Sequence, residues 1–195
     1  MSTTLAKTNL QLPLATTLDI IKPMIIKSPD TEDEFDQIYS LNYKTFVEEI
    51  PQHVESEDKK LVDPFHKKNN YLIATLKGKV IGMVCFNTQR PFSLDKKKVE
   101  IDQYIPQGAK TVEIRLLAVE KEWRKSNIAY KLFKILAKKL IEQGIYMGFI
   151  SATTRQLELY KKIGFAPFDE LVGIEGAFYQ PMRITFDNLK KEFKS

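Results

Sequence analysis

The sequence predicts a mixed α/β fold: a central, mostly antiparallel sheet flanked by helices, not a doubly wound parallel one. Three observations carry this. Two β-rich runs in "YLIATLKGKVIGMVCFNTQ" flank Lys77-Gly78-Lys79 and form a hairpin, which breaks the alternation of strand and helix that a parallel sheet needs. A further strand, "TVEIRLLAV" at 111–119, follows without a long helix between. One long amphipathic helical period then runs from 128 to 143, with strands on either side.

Taken in order, "MIIKS" at 24–28 is short and apolar and reads as a first strand. In "SPDTEDEFDQIYSLNYKTFVEE", Thr31 and Glu34 have capping-box spacing, and Phe35, Ile38, Tyr39, Asn42 and Phe46 fall on one face of a helix. Residues 50–70 show no period and many charges, and read as a long loop with a short helix at most. After the hairpin, 90–110 is an insertion with a short helical piece near 94–104. In "IAYKLFKILAKKLIEQG", Ile128, Leu132, Ile135, Leu136 and Leu140 form the expected buried stripe, Lys131, Lys134, Lys138 and Lys139 face out, and Gly144 closes the helix. "IYMGFISA" is a strand, "TTRQLELYKKIG" a short helix, and "AFYQPMRITF" a last strand bent at Pro181. The expected organisation is an N-terminal tail over 1–22 and a single domain over 23–195.

Composition narrows the function. The 195 residues are 43% hydrophobic, enough for a sizeable core. Thirty basic and 25 acidic side chains leave +5, a modest excess that favours anionic partners. Nucleic-acid binding is not expected, since no basic stripe accompanies a reading motif. Cys85 lies in "GMVCF" and reads as core; His53 and His66 lack ligand spacing, so no metal is expected. No run reaches the length of a membrane span and no signal peptide is recognisable, which points to a cytoplasmic protein.

The chemistry concentrates where the 111–119 strand meets the long helix. A helix start exposes unpaired N–H groups and partial positive charge, and so holds phosphates. In "EWRKSNIAYKLF", Arg124 and Lys125 add two cations at that mouth, and Ala129 is small enough for a close approach to the backbone. Asn127 stands where a turn would want glycine; asparagine tolerates left-handed backbone. Downstream, "LYKKIGF" at 159–165 joins a tyrosine to Gly-Phe on a short helix.

These two stretches, in this order, resemble the phosphate-turn and tyrosine/Gly-Phe signatures of the GNAT superfamily of N-acetyltransferases. Its turn reads Gln or Arg, two residues, Gly, one residue, then Gly or Ala; Arg124, Asn127 and Ala129 take those places, with Asn127 departing from glycine. The resemblance covers about 24–186. It implies a strand splayed from its neighbour, whose backbone at Leu117, Ala118 and Val119 pairs with the pantetheine arm of an acyl thioester. It implies donor contacts from Arg124, Lys125, Ser126, Asn127, Ile128 and Ala129, and Tyr160 as the acid that protonates the leaving thiolate. Glu113, on the same strand, is either the base that takes a proton from the amine or an ion-pair partner of Arg115 two residues on. Ser126 either holds phosphate or caps the helix. Trp123 reads as core packing, and Thr153 and Thr154 as caps or pantetheine contacts.

The order of "LNYKTFVEEI", "ESEDKKLVD", the hairpin and "VEIRLLAV" is further similar to N-acyl amino acid synthases and acyl-homoserine-lactone synthases. Phe46, Glu57, Asp58, Asp63, Gly82, Glu113 and Arg115 are the matching positions. Asn42-Tyr43-Lys44 replaces the expected arginine, and the Glu-to-Arg spacing departs from the lactone-forming type. The resemblance implies an N-acyltransferase that takes acetyl or longer acyl groups from acyl-CoA, or from an acyl carrier protein, to a small-molecule primary amine; the lysine face of 128–143 reads as plain solubility before a carrier-protein surface. Phe86, Phe92, Phe149, Phe168 and Phe178 suit an acyl tunnel or an ordinary core equally, and the acids over 48–63, which alone read as a solvated loop, hint at a cationic or amino-acid acceptor. The protein is monomer or homodimer on this reading. The competing class is a binding module of the same fold with catalysis lost, which the missing glycine favours.

Overall fold

The computed structural model describes residues 23–174 and 178–190, so the expected tail over 1–22 lies outside the described residues. Seven strands form one sheet in the order β1-β2-β3-β4-β5-β7-β6. They are β1 (Ile25–Lys27), β2 (Asn70–Leu76), β3 (Lys79–Asn87), β4 (Thr111–Val119), β5 (Met147–Thr153), β6 (Ala166–Pro167) and β7 (Tyr179–Thr185). Every pair is antiparallel except β4 with β5. The two-residue β6 has no periodic signal and was not expected from sequence.

Helix α1 (Glu32–Tyr43) covers one face. Its cap is half the expected box: the Thr31 hydroxyl accepts from the Glu34 N–H, while the Glu34 carboxylate accepts from the N–H of Asp30 rather than of Thr31. The apolar side of α1 and of the turn that continues it sets Ile38, Leu41 and Phe46 against Tyr71, Ile73, Met83 and Cys85, which lies in the core as expected. The helix then widens into a π-helical turn over Lys44–Glu49, absent from the sequence reading. Such turns concentrate at functional sites because the extra residue re-aims its neighbours.

Helix α3 (Ile128–Glu142) covers the other face. Leu132, Leu136 and Leu140 are fully buried, each contributing roughly 1.5–3 kcal/mol of transfer free energy. Ile135 corrects the expected stripe: it is 43% exposed, and Phe133 and Ala137 are buried instead. The i, i+4 row from Ile128 meets the sheet centre, and its buried flank falls on the 133/137 side. The helices α2 (Ser93–Lys96), α4 (Leu157–Ile163) and α5 (Asp187–Lys190) are short.

Two irregularities open the sheet. The β4–β5 pairing runs only from Thr111–Met147 to Glu113–Phe149, after which the strands part. At the same height, the register of β3 with β4 shifts between Met83 and Cys85, and Leu116 takes φ 51, a left-handed conformation that is costly for leucine. The second half of β4 thus turns a free edge toward β5.

Candidate active site

Two clefts open into the gap between β4 and β5. The first, about 280 Å³, is lined by His53, Phe65, Ser93, Lys96, Lys97, Glu113 and Arg115, among others. The second, about 240 Å³, runs under the start of α3 and is lined by Thr45, Glu49, Ala118, Val119, Arg124, Ser126, Ala129 and Arg155, among others. Phe46, Leu117, Thr153 and Tyr160 line both, so the two meet at these side chains.

Tyr160 is placed by the segment that follows it. Gly164 ends α4 at φ 110, and the N–H groups of Gly164 and Phe165 both return to the Tyr160 carbonyl. Glycine is required at that φ. Phe165 folds back edge-on to the Tyr160 ring at 5.9 Å. The Gly-Phe signature is therefore the device that fixes the tyrosine. Burial pushes the Tyr160 hydroxyl up to about 12, so it stays protonated through the physiological range.

The turn before α3 differs from expectation in its backbone. Asn127 has φ −91 and ψ 19, so it does no left-handed work. The chain enters α3 through a 3₁₀ turn at Lys121–Trp123 and a Ser126 N–H to Trp123 carbonyl bond, a route on which φ stays negative and no glycine is needed. The departure from the glycine pattern thus loses its weight as a sign of lost function. Ser126 caps: its hydroxyl accepts from the Ile128 N–H and donates to the Trp123 carbonyl. Lys125 and Asn127 are exposed and Ile128 is buried. Trp123 packs against the core and also lines the second cleft.

Arg124 is already engaged. Its Nη1 and Nη2 meet the Glu49 carboxylate at 2.5 and 2.8 Å, which holds that carboxyl below its usual range. Its Nε donates to the Val119 carbonyl at 2.8 Å, so this oxygen is taken by a side chain rather than left for a pantetheine arm. Arg155 adds a bond to the Glu49 carbonyl at 2.8 Å. Thr45 and Thr153 carry buried hydroxyl oxygens without partners, and both line the second cleft. Thr153 precedes a short 3₁₀ turn without capping it, contrary to the capping reading; Thr154 begins that turn and is exposed.

In the first cleft, Glu113 is fully buried. It accepts from the Ser93 N–H at 2.9 Å, the Ser93 hydroxyl at 2.5 Å and the Leu94 N–H at 3.2 Å. Arg115 approaches it at 3.4 Å and binds Asp63 with distances of 3.1 and 2.8 Å. The ion-pair alternative for Glu113 is thus present. Asp63, which is buried, is neutralised in place, whereas Glu57 and Asp58 stay exposed. Its apolar lining includes Phe46, Phe65, Phe133 and Phe165; of the five candidate tunnel phenylalanines, Phe86, Phe92 and Phe149 lie in the core, and Phe168 and Phe178 line neither cleft.

Lys97, His53, Lys96, Ser93 and Thr45 are cleft residues that sequence reasoning missed. No local signal marks them: Lys97 stands in a run of three lysines, and only the fold brings it beside Ser151 and Tyr179. Among the described residues, no group of His, Cys, Asp and Glu is arranged to hold a metal, and no helix is long and apolar enough to cross a membrane.

The acetyltransferase (GNAT) family model matches residues 35–165, and the chain belongs to that family. No curated protein matches the sequence. Among solved structures, the chain is similar to the CoA-dependent acyl-homoserine lactone synthase BjaI with SAM and isopentyl-CoA (19% identity, 87% of this chain and 89% of that one, TM-score 0.68). It is similar to FeeM, an N-acyl amino acid synthase from uncultured soil microbes (15%, 87% and 93%, TM-score 0.70). It is also similar to an aminoglycoside 6'-N-acetyltransferase complexed with coenzyme A (16%, 84% and 97%, TM-score 0.61). At these identities the likeness is one of fold.

Proposed function

We propose that this GNAT-family chain is an N-acyltransferase. It moves an acetyl or longer acyl group directly from a thioester, acyl-CoA or an acyl carrier protein, to the primary amine of a small molecule. The observation that carries the reading is the meeting of two clefts at Leu117, Thr153 and Tyr160, where β4 and β5 part. A donor arm in the second cleft and an amine in the first would then face each other, which removes much of the entropic barrier to their reaction.

The arm lies along β4 and pairs with the free edge at Leu117 and Ala118, as an added strand does. Thr45 and Thr153, which line that cleft, keep unpaired hydroxyls that the polar groups of the arm would satisfy. Its phosphates reach the start of α3 at Ser126 to Ala129, with Lys125 and Arg124 beside them, and Arg124 exchanges Glu49 for phosphate. The amine nitrogen attacks the thioester carbonyl. The C–S bond breaks, and Tyr160 donates its proton to the leaving sulfur. The ammonium proton leaves toward Ser93, whose hydroxyl already donates to Glu113. Glu113 therefore acts as base through Ser93, with its own position fixed by the N–H groups of Ser93 and Leu94.

The test is thiol release on mixing the protein with acetyl-CoA, long-chain acyl-CoA or an acyl carrier protein and a panel of amines. Amine-dependent release is expected, and Ser93→Ala should lower kcat about 10²-fold with donor affinity unchanged. Thioester binding without release, across donors and amines, would move the assignment to a silent binding module.

A further inference from the structure

The charge of the first cleft runs against a cationic acceptor, one of the two that the acids over 48–63 suggested. Asp63 and Glu113 line this region, but both are spoken for: Asp63 by Arg115, and Glu113 by Ser93, Leu94 and Arg115. The cations are not. Among the described residues, neither Lys96 nor Lys97 has a carboxylate within ion-pair distance. Lys96 sits over the Phe65 ring at 4.4 Å. The Lys97 ammonium lies 3.8 Å from the centre of the Tyr179 ring and donates to the Ser151 hydroxyl at 3.3 Å. Lys97 is exposed as a residue, and it lines the cleft together with Ser151. Arg115 keeps a buried Nε donor without a partner. A cleft of about 280 Å³ with two unneutralised ammonium groups and an unused guanidinium donor is built for negative charge.

We infer that the acceptor carries an anionic group, carboxylate or phosphate, a few bonds from its amine, and that Lys97 is the residue that holds this group. The inference rests on the transferase reading and names its acceptor class. The Lys97 head attracts the anion, Ser151 and Tyr179 fix the head, and Lys96 and the Arg115 Nε supply a positive surround. The amine is thereby oriented toward Ser93 and the thioester. Lys97 is a specificity residue and takes no part in bond making. Desolvation brings the Lys97 ammonium down to about 8, aided by Arg115 and opposed by Glu113; a bound anion raises it again. His53 at the cleft mouth is pushed down by desolvation and adds no charge above neutral pH.

The experiment compares matched acceptors in the thiol-release assay: an α-amino acid, its amide, the amine left by decarboxylation, and an aminoalkyl phosphate. An anionic acceptor should exceed its neutral counterpart about tenfold or more in kcat/KM, as a charge-assisted contact would give. The carboxylate and phosphate arms identify which anion fits. Lys97→Met should raise KM for the anionic acceptor and leave kcat and the neutral amine unchanged; Lys97→Arg should restore most of the loss. Equal use of neutral and anionic amines, or a Lys97→Met effect shared by both, overturns the inference. If no amine releases thiol, the transferase reading fails by itself. Equilibrium binding of the same pairs then decides: an anion preference lost in Lys97→Met supports the inference, and its absence refutes it.

Discussion

Glu49 occupies the guanidinium that a donor phosphate would use. The pair closes the mouth of the second cleft with two charge-assisted bonds, and Arg155 ties the same segment through its backbone. Both partners are about one-third exposed, so the pair contributes at most about 1 kcal/mol. That is small enough for a diphosphate to displace, and it sets the size of the effect of removing it. Glu49→Gln should tighten CoA binding up to about fivefold, read by titration calorimetry, because Arg124 no longer has to leave a carboxylate. Unchanged affinity would mean that Arg124 does not meet the phosphates. Tyr160 bears a second prediction. With its hydroxyl at about 12, it remains a proton donor across the usual assay range, so the parent's kcat should show no descending alkaline limb from this group below about pH 11. Tyr160→Phe should lower kcat about 10²-fold while CoA affinity holds; an unaltered kcat removes Tyr160 from the reaction.

At the scale of elements, the site depends on how closely α3 sits on β3. A methyl group built at Gly82 would lie 2.9 Å from Ile128 Cγ2 and 3.3 Å from Leu132 Cδ1. Ile128 is the first residue of α3 and is β-branched, so its methyl cannot swing aside without moving the helix start. Gly82→Ala should cost roughly 1–3 kcal/mol by overpacking, seen as a lower urea midpoint, and should weaken CoA binding as the amide cluster at 126–129 shifts. A stable variant with normal affinity would show that the contact is not what positions α3. The same contact shows what was legible in the sequence. The strands other than β6, α1, α3 and the Gly-Phe end of α4 write themselves in short-range periods and in turn chemistry, and are readable. The splay of β4 from β5 entered only through resemblance. The π-helical turn, the Leu116 bulge, the Glu49–Arg124 pair and the Lys97 contact with Ser151 join residues far apart in sequence, or follow from register, and no local pattern encodes them. Asn127 departs from expectation because a position that takes glycine in the motif need not be left-handed here: the turn holds a negative φ throughout.

Across the whole molecule, the sheet is joined at its centre by a short parallel contact. One part, β1 to β4 with α1 and α3, supplies Leu117, Thr45 and the α3 start. The other, β5 to β7 with α4, supplies Thr153 and Tyr160. Between them only three residues of β4 pair with β5. A donor arm in the gap would hydrogen-bond to the free edge of β4 and pack on Thr153 and Tyr160, making contacts to both parts that the unfolded chain cannot make. Binding to the native state alone stabilises it by about 2.7 kcal/mol at a hundred times Kd. For a chain of this length each kcal/mol moves Tm by about 2–4 °C, so CoA at that concentration should raise Tm by roughly 5–10 °C in scanning calorimetry. Desulfo-CoA should do nearly as well, since the arm and phosphates carry the contacts. ADP alone should achieve much less, because it reaches the α3 start without bridging the gap. Equal shifts with ADP and CoA would place the ligand's stabilising contacts outside the β4–β5 gap and remove the structural basis for an arm threaded between the strands.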